Sequence, residues 1–161
     1  MINRDAMIWL TGSGESTTWD NIIQIATSHV EHEGIVFVGC DSQVHANKCT
    51  FIEAICLHGA SGQQGGRYFY RRSNITQVRD ITLRERVTDE ASYAIELAMK
   101  LVPLLPADAK IEIHLDVSAN KAHASSSLSE SLSGFARAMG FTCKIKPDSW
   151  AAFCVADGHT R

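Results

Sequence analysis

The sequence lacks the patterns that mark several large classes of protein. No apolar run approaches the roughly 18 residues that a membrane-spanning helix needs. The first residues have neither the basic start nor the apolar centre of a secretory signal peptide. The five cysteines include no C-x-x-C pair, which favours reduced thiols in a cytoplasmic protein. We therefore expect one globular domain over residues 1–161 with no membrane association.

Several common active-site motifs are also absent. The Gly-x-Gly at residues 12–14 lacks the strand and helix that flank a dinucleotide-binding loop. There is no Gly-x-Ser-x-Gly nucleophile elbow. The nearest cysteine and histidine pairs, His45 with Cys49 and Cys56 with His58, do not have the spacing of a structural zinc site. These absences argue against a nucleotide-binding loop, a serine hydrolase and a zinc protein.

The charge is small in total but uneven along the chain. A formal net charge of −3 gives no general sign of nucleic-acid binding. Residues 67–86, however, hold six arginines and no lysine against two acidic residues. This segment is either a solvated face or a surface for phosphate, which planar guanidinium groups bind through paired hydrogen bonds.

The order of apolar patterns predicts an α/β domain. A helix capped by Thr17 or Thr18 is followed by three strand-like runs at 34–43, 49–57 and 67–72, whose short connections favour an antiparallel meander. Next come a helix over 83–101, a strand over 110–118, a helix over 128–139, a strand over 141–146 and a final helix from Asp148. We expect a mixed five-stranded sheet, three strands antiparallel and two parallel, with helices on both faces. Residues 1–33 would be an N-terminal extension with one helix.

Carboxylates stand at apolar positions along this predicted core. Asp41 stands where the apolar run of the first strand stops, Glu90 interrupts the apolar stripe of the long helix, and Asp116 ends the apolar run of the fourth strand. A carboxylate near a core is costly unless it is paired, and a divalent cation is one such partner. Asp148 and Asp157, in the final helix, are further candidates. Turn formation at Asp41 and Asp116 and helix capping by Asp148 remain alternative explanations.

With these residues in this order, the chain resembles the ribonuclease H-like superfamily. The segment 146–152, Lys-Pro-Asp-Ser-Trp-Ala-Ala, is similar to the last helix of Holliday-junction resolvases. More narrowly, the chain resembles the YkuK-type group of predicted ribonuclease H-like nucleases. The matching pieces are Gly39–Gln43, Glu90-x-Ser92, His114-Leu115-Asp116, Lys146-Pro147-Asp148 and Ala156-Asp157.

The resemblance implies a metal-dependent nuclease that acts on DNA, RNA or a hybrid. In such enzymes two Mg²⁺ or Mn²⁺ ions held by carboxylates activate water and stabilise the leaving oxygen. By analogy, Asp41 would bridge the ions, Glu90 and Asp116 would hold one, and Asp148 or Asp157 would complete the other. The predicted contacts to nucleic acid are Lys146, Arg67, Arg71 and Arg72. The alternative is a non-catalytic module on the same fold that binds nucleic acid or protein.

Overall fold

The structure, a computed structural model, describes residues 3–76, 81–120 and 125–151. The helices are α1 (Trp19–Glu31), α2 (Leu83–Leu101) and α3 (Ser126–Ala138), with 3₁₀ turns at Arg4–Ala6 and Val102–Leu104. The strands are β1 (Trp9–Thr11), β2 (Ser16–Thr17), β3 (Ile35–His45), β4 (Lys48–His58), β5 (Gly66–Thr76), β6 (Ile111–Ser118) and β7 (Thr142–Lys146). No helix in these ranges is long and apolar enough to cross a membrane.

The strands form one mixed sheet in the order β2-β1-β5-β4-β3-β6-β7. Strands β3, β4 and β5 are an antiparallel meander, and β6 and β7 continue the sheet in parallel from β3. The mixed α/β architecture is confirmed, but the predicted number of strands is wrong: there are seven, not five. The N-terminal extension adds β1 and β2, and Leu10 pairs with Tyr70 at the edge of β5. Strands of three and two residues are too short to show a period-2 pattern.

The three described helices share one hydrophobic core on one face of the sheet. Val36 and Val38 of β3 belong to that core, together with residues of α1, α2 and α3. The opposite face carries a second, smaller cluster in which Phe37 packs with Ala151. Trp150 and Ala151 have helical backbone, where the predicted final helix begins. The rest of that predicted helix lies outside the described residues.

Helix α2 begins and ends where the sequence predicts. The Thr82 hydroxyl accepts from the Glu85 N–H, and the Glu85 carboxylate accepts from the Thr82 N–H, so that a capping box satisfies two backbone amides at the start of the helix. Its buried side contains Val87, Ala91 and Ala94 at helical spacing. Glu90 lies in that same stripe with only 7% of its surface exposed. The helix therefore directs a carboxylate into the interior.

Candidate metal centre

The candidate site lies where two parallel strands separate. The pairing of β3 with β6 runs from Val36 opposite Ile111 to Gly39 opposite His114. Asp41 and Asp116 each lie two residues beyond that last pair, so they occupy matched positions on neighbouring strands. Crevices of this kind, at the carboxyl ends of parallel strands, are common ligand sites in α/β proteins.

Helix α2 brings a third carboxylate to the same point. Asp41, Glu90 and Asp116 each offer one oxygen atom, and these atoms all lie within 4.8 Å of one another. Glu90 is buried, while Asp41 and Asp116 are half-buried. Ser42 joins two of the three groups: its amide N–H donates to Asp41 Oδ1 at 2.8 Å, and its hydroxyl donates to Glu90 Oε1.

The electrostatic cost of this arrangement falls mainly on Glu90. Burial raises the pKa of Glu90 to about 8, and the negative charges of Asp41 and Asp116 act in the same direction against the hydrogen bond from Ser42. Near neutral pH and without a metal, Glu90 therefore holds a proton. A cation in the cluster would stabilise the charged form and release that proton.

Lys146 forms an ion pair with Asp116. Its Nζ lies 2.8 Å from Asp116 Oδ1, which is ion-pair distance, although the alignment is not that of a hydrogen bond. The register explains the proximity, because Lys146 at the end of β7 lies opposite Ser118, beyond an irregularity in the β6–β7 pairing. Lys146 is 41% exposed, so its ammonium borders both the carboxylates and solvent.

The donor set fits a hard divalent cation. Three carboxylates offer only oxygen ligands, which suit Mg²⁺ or Mn²⁺ better than softer metals. The described cysteines Cys40, Cys49, Cys56 and Cys143 are all buried, and burial raises the pKa of the Cys40 thiol, which disfavours the metal-binding thiolate. Within residues 3–76, 81–120 and 125–151, no other group of acidic, histidine or cysteine side chains converges as these do.

Of the other two predicted ligands, only Asp148 lies among the described residues, and it is not part of this cluster. Asp148 is exposed. Its amide N–H donates to Ile145 O, which closes a turn after β7. Asp157 lies outside the described residues. The assignment of a fourth carboxylate therefore stays a prediction.

The three arginines among the predicted nucleic-acid contacts separate into two kinds. Arg71 is 4% exposed; its Nε and one terminal nitrogen bind Glu53 at 2.9 and 3.0 Å, and the other binds Arg4 O. This is a correction, because a guanidinium committed to a buried ion pair is not a surface group. Arg67 and Arg72 are exposed.

Strand register decides which exposed arginine lies nearer the cluster. Arg72 pairs with Ile52, and Ile52 pairs with Asp41. Arg72 is thus on the same face as Asp41, about 10 Å away across two strand spacings. Arg67 lies five residues away from Arg72 along β5, a displacement of about 17 Å in the direction of the strand. Arg72 is therefore the better placed of the two, and Lys146 is closer than either.

Sequence reasoning missed the residues that position this site. Ser42 stands in the matching piece Gly39–Gln43 without a predicted role of its own, and it lies with Asp41 inside β3. His114 likewise stands in the matching piece His114-Leu115-Asp116 without a predicted role of its own. It is buried: its Nδ1 accepts from Ala151 N–H at 3.0 Å and its Nε2 lies 2.9 Å from Glu112 Oε1. The signal available in the sequence was that both residues lie close to a predicted carboxylate ligand. That closeness does not show in which direction their side chains point.

Comparison with known proteins identifies a family and a relative that aligns with the chain over nearly its whole length. A family model described as Ribonuclease H-like matches residues 17–161. The chain is 28% identical over 176 residues to "Uncharacterized protein YkuK" of Bacillus subtilis (strain 168), and the alignment covers 98% of this chain and 99% of that protein. No solved structure matches the chain significantly.

Proposed function

Because the chain belongs to the ribonuclease H-like family, we propose that it is a divalent-metal-dependent nuclease that hydrolyses phosphodiester bonds of DNA, RNA or a hybrid. The observation that carries this proposal is the convergence of Asp41, Glu90 and Asp116 within 4.8 Å at the separation of β3 and β6. Three carboxyl groups in one half-buried crevice destabilise the fold, through burial and through repulsion between their charged forms, unless they bind a cation.

The three carboxylates would hold Mg²⁺ or Mn²⁺, and Asp41 would contribute to both ion sites. A bound ion of this kind supplies an activated water and charge stabilisation for phosphodiester hydrolysis. Asp148 or Asp157 would complete a second ion site. Each of these assignments comes from the family resemblance and from the oxygen-only donor set.

The chain's own cations have a separate role in this proposal. The ammonium of Lys146 reaches the edge of the cluster at Asp116 and is partly exposed, so it would orient the phosphate next to the carboxylates. Arg72, on the same face of the sheet, would contact the nucleic-acid backbone farther along. Phosphate contacts of this type position the substrate but do not read its sequence.

The first experiment needs no knowledge of the substrate. Thermal unfolding is measured with millimolar Mn²⁺ and with EDTA, for wild type and Asp41→Asn. We expect Mn²⁺ to raise the wild-type midpoint by mass action, and the variant to lose that response. Asp108→Asn, at an exposed position outside the cluster, is the control and should keep it.

A nuclease screen on single-stranded DNA, RNA and a hybrid follows, with Mn²⁺ and with EDTA. Cleavage that requires both metal and Asp41 supports the proposal. A wild-type protein that ignores Mn²⁺ and binds nucleic acid equally well with Asp41→Asn would contradict it and favour the non-catalytic module. Fold membership alone does not decide between these outcomes.

A further inference from the structure

Ser42 touches two of the three carboxylates, which lie far apart in the sequence. Its amide N–H donates to Asp41 Oδ1 at 2.8 Å. Its hydroxyl donates to Glu90 Oε1, 48 residues away on α2. Among the described hydrogen bonds, this is the one that ties Glu90 of α2 to strand β3. Ser42 therefore relates the positions of two carboxylates that belong to different elements.

The backbone holds Ser42 in a fixed place. Asp41, Ser42 and Gln43 pair in register with Ile52, Phe51 and Thr50 of β4, so Ser42 lies inside an antiparallel ladder. Successive side chains of a strand point to opposite faces. Ser42 therefore directs its hydroxyl to the face that α2 covers. The Asp41 side chain leaves the strand on the opposite face, and its carboxylate accepts a hydrogen bond from the Ser42 N–H. A flexible loop would not give this precision.

The hydroxyl also supplies a hydrogen bond to a buried carboxyl group. Glu90 is buried beside two other acidic groups, and in that setting an unsatisfied carboxyl oxygen destabilises the fold. A hydroxyl is a suitable partner because it donates without adding charge to the crevice. It can stabilise the carboxylate geometry and does not compete with a bound cation as an ammonium would.

On these grounds we propose that Ser42 is a positioning residue of the metal centre: it fixes Asp41 and Glu90 relative to each other, so that the cluster is arranged for a divalent cation before the cation binds. This inference rests on the proposed function, which assigns the cluster to a divalent cation, but it concerns the affinity for that cation rather than the rate of catalysis. Hydrogen-bonding partners of metal ligands typically contribute 10–100-fold in metal affinity.

The test is Mn²⁺ affinity measured by calorimetry for wild type, Ser42→Ala and Ser42→Thr. The alanine variant keeps the hydrogen bond from its backbone N–H to Asp41 Oδ1 but removes the hydroxyl. We therefore expect it to bind Mn²⁺ about tenfold more weakly than wild type, or more weakly still. Threonine keeps the hydroxyl and suits a strand, so it should restore affinity to within about threefold. Ser127→Ala, on an exposed position of α3, controls for the substitution itself. Unfolding midpoints in EDTA report whether each variant is folded.

The outcomes separate this inference from the nuclease proposal. Equal Mn²⁺ affinity for wild type and Ser42→Ala would overturn the inference alone. Weaker binding by Ser42→Ala, restored by threonine, in a protein that cuts no nucleic acid would support the inference while overturning the nuclease. A wild type that binds no Mn²⁺ would overturn both.

Discussion

Replacing Glu90 by glutamine should make the metal-free protein more stable at high pH. Glu90 has a pKa of about 8 in the folded protein against an ordinary value of 4.5, mainly because it is buried. Its folded-state pKa is raised, so the folded state binds more protons than the unfolded state between those values. The stability contribution of Glu90 is therefore fully present below pH 4.5 and is lost as pH rises through 8.

The size of this effect follows from the shift. At 1.36 kcal/mol per pKa unit, wild type should lose about 3 kcal/mol of unfolding free energy from this group by pH 7 and about 5 kcal/mol by pH 9. Glutamine has the same shape, can still accept the Ser42 hydroxyl and does not titrate. The difference in unfolding free energy between the variant and wild type should thus grow with pH.

The assay is urea unfolding in EDTA at pH 5, 7 and 9, followed by tryptophan fluorescence. Other groups, such as His114, whose pKa burial lowers, change in both proteins and cancel in the difference. Glu130→Gln, at an exposed position of α3, controls for the amide substitution. A difference between Glu90→Gln and wild type that stays constant within about 0.5 kcal/mol from pH 5 to 9 would refute the reasoning. Saturating Mn²⁺ should reverse the order of stability at pH 9, because it binds the charged carboxylate.

Three further predictions concern other parts of the chain. Arg71→Met should destabilise the protein by about 3–5 kcal/mol in urea unfolding, because it leaves Glu53, which is 1% exposed, without its bidentate partner; a loss below about 1 kcal/mol would contradict a structural role. Lys146→Met should weaken oligonucleotide binding and reduce the slope of log affinity against log salt by about 1, while the Mn²⁺-induced rise in unfolding midpoint persists; an unchanged slope would remove Lys146 from the phosphate contacts. Gly34→Ala should lower the thermal midpoint, because an added Cβ would lie 2.2 Å from His29 Nε2; an unchanged midpoint would mean that the histidine moves aside freely.

Much of the core fold could be predicted because its signals are local. The long helix Leu83–Leu101 has both a capping box and an apolar stripe, and its observed bounds equal the predicted ones. The meander β3–β4–β5 follows from apolar runs with short connections. The N-terminal hairpin could not be found in this way. Strand β1 forms because the edge of β5 offers it a partner, and β2 then pairs with β1, which is a tertiary effect without a local sequence pattern.

The arginine prediction shows the same limit at the level of one residue. Arg71 and Arg72 are neighbours with the same side chain, and composition treats them alike. The period of a strand sends them to opposite faces, so that Arg71 meets Glu53 under α2 and Arg72 remains exposed. Glu53, an acid within the apolar run of β4, was the available signal that a buried cation must lie opposite.

The sequence selects Asp41 and Asp116, but the reason for their proximity is the register of two strands and not the end of either strand. Asp41 and Asp116 attract attention because the apolar runs stop there, yet β3 continues to His45 and β6 to Ser118. What ends near them is the pairing between the two strands, at Gly39 and His114. An apolar run stops where the sheet ceases to be covered on both sides, and two parallel strands part at a similar level. Polar residues just beyond that level therefore face a common crevice, whichever strand continues. Register, rather than strand length, is the quantity that should locate such sites in other sheets of this type.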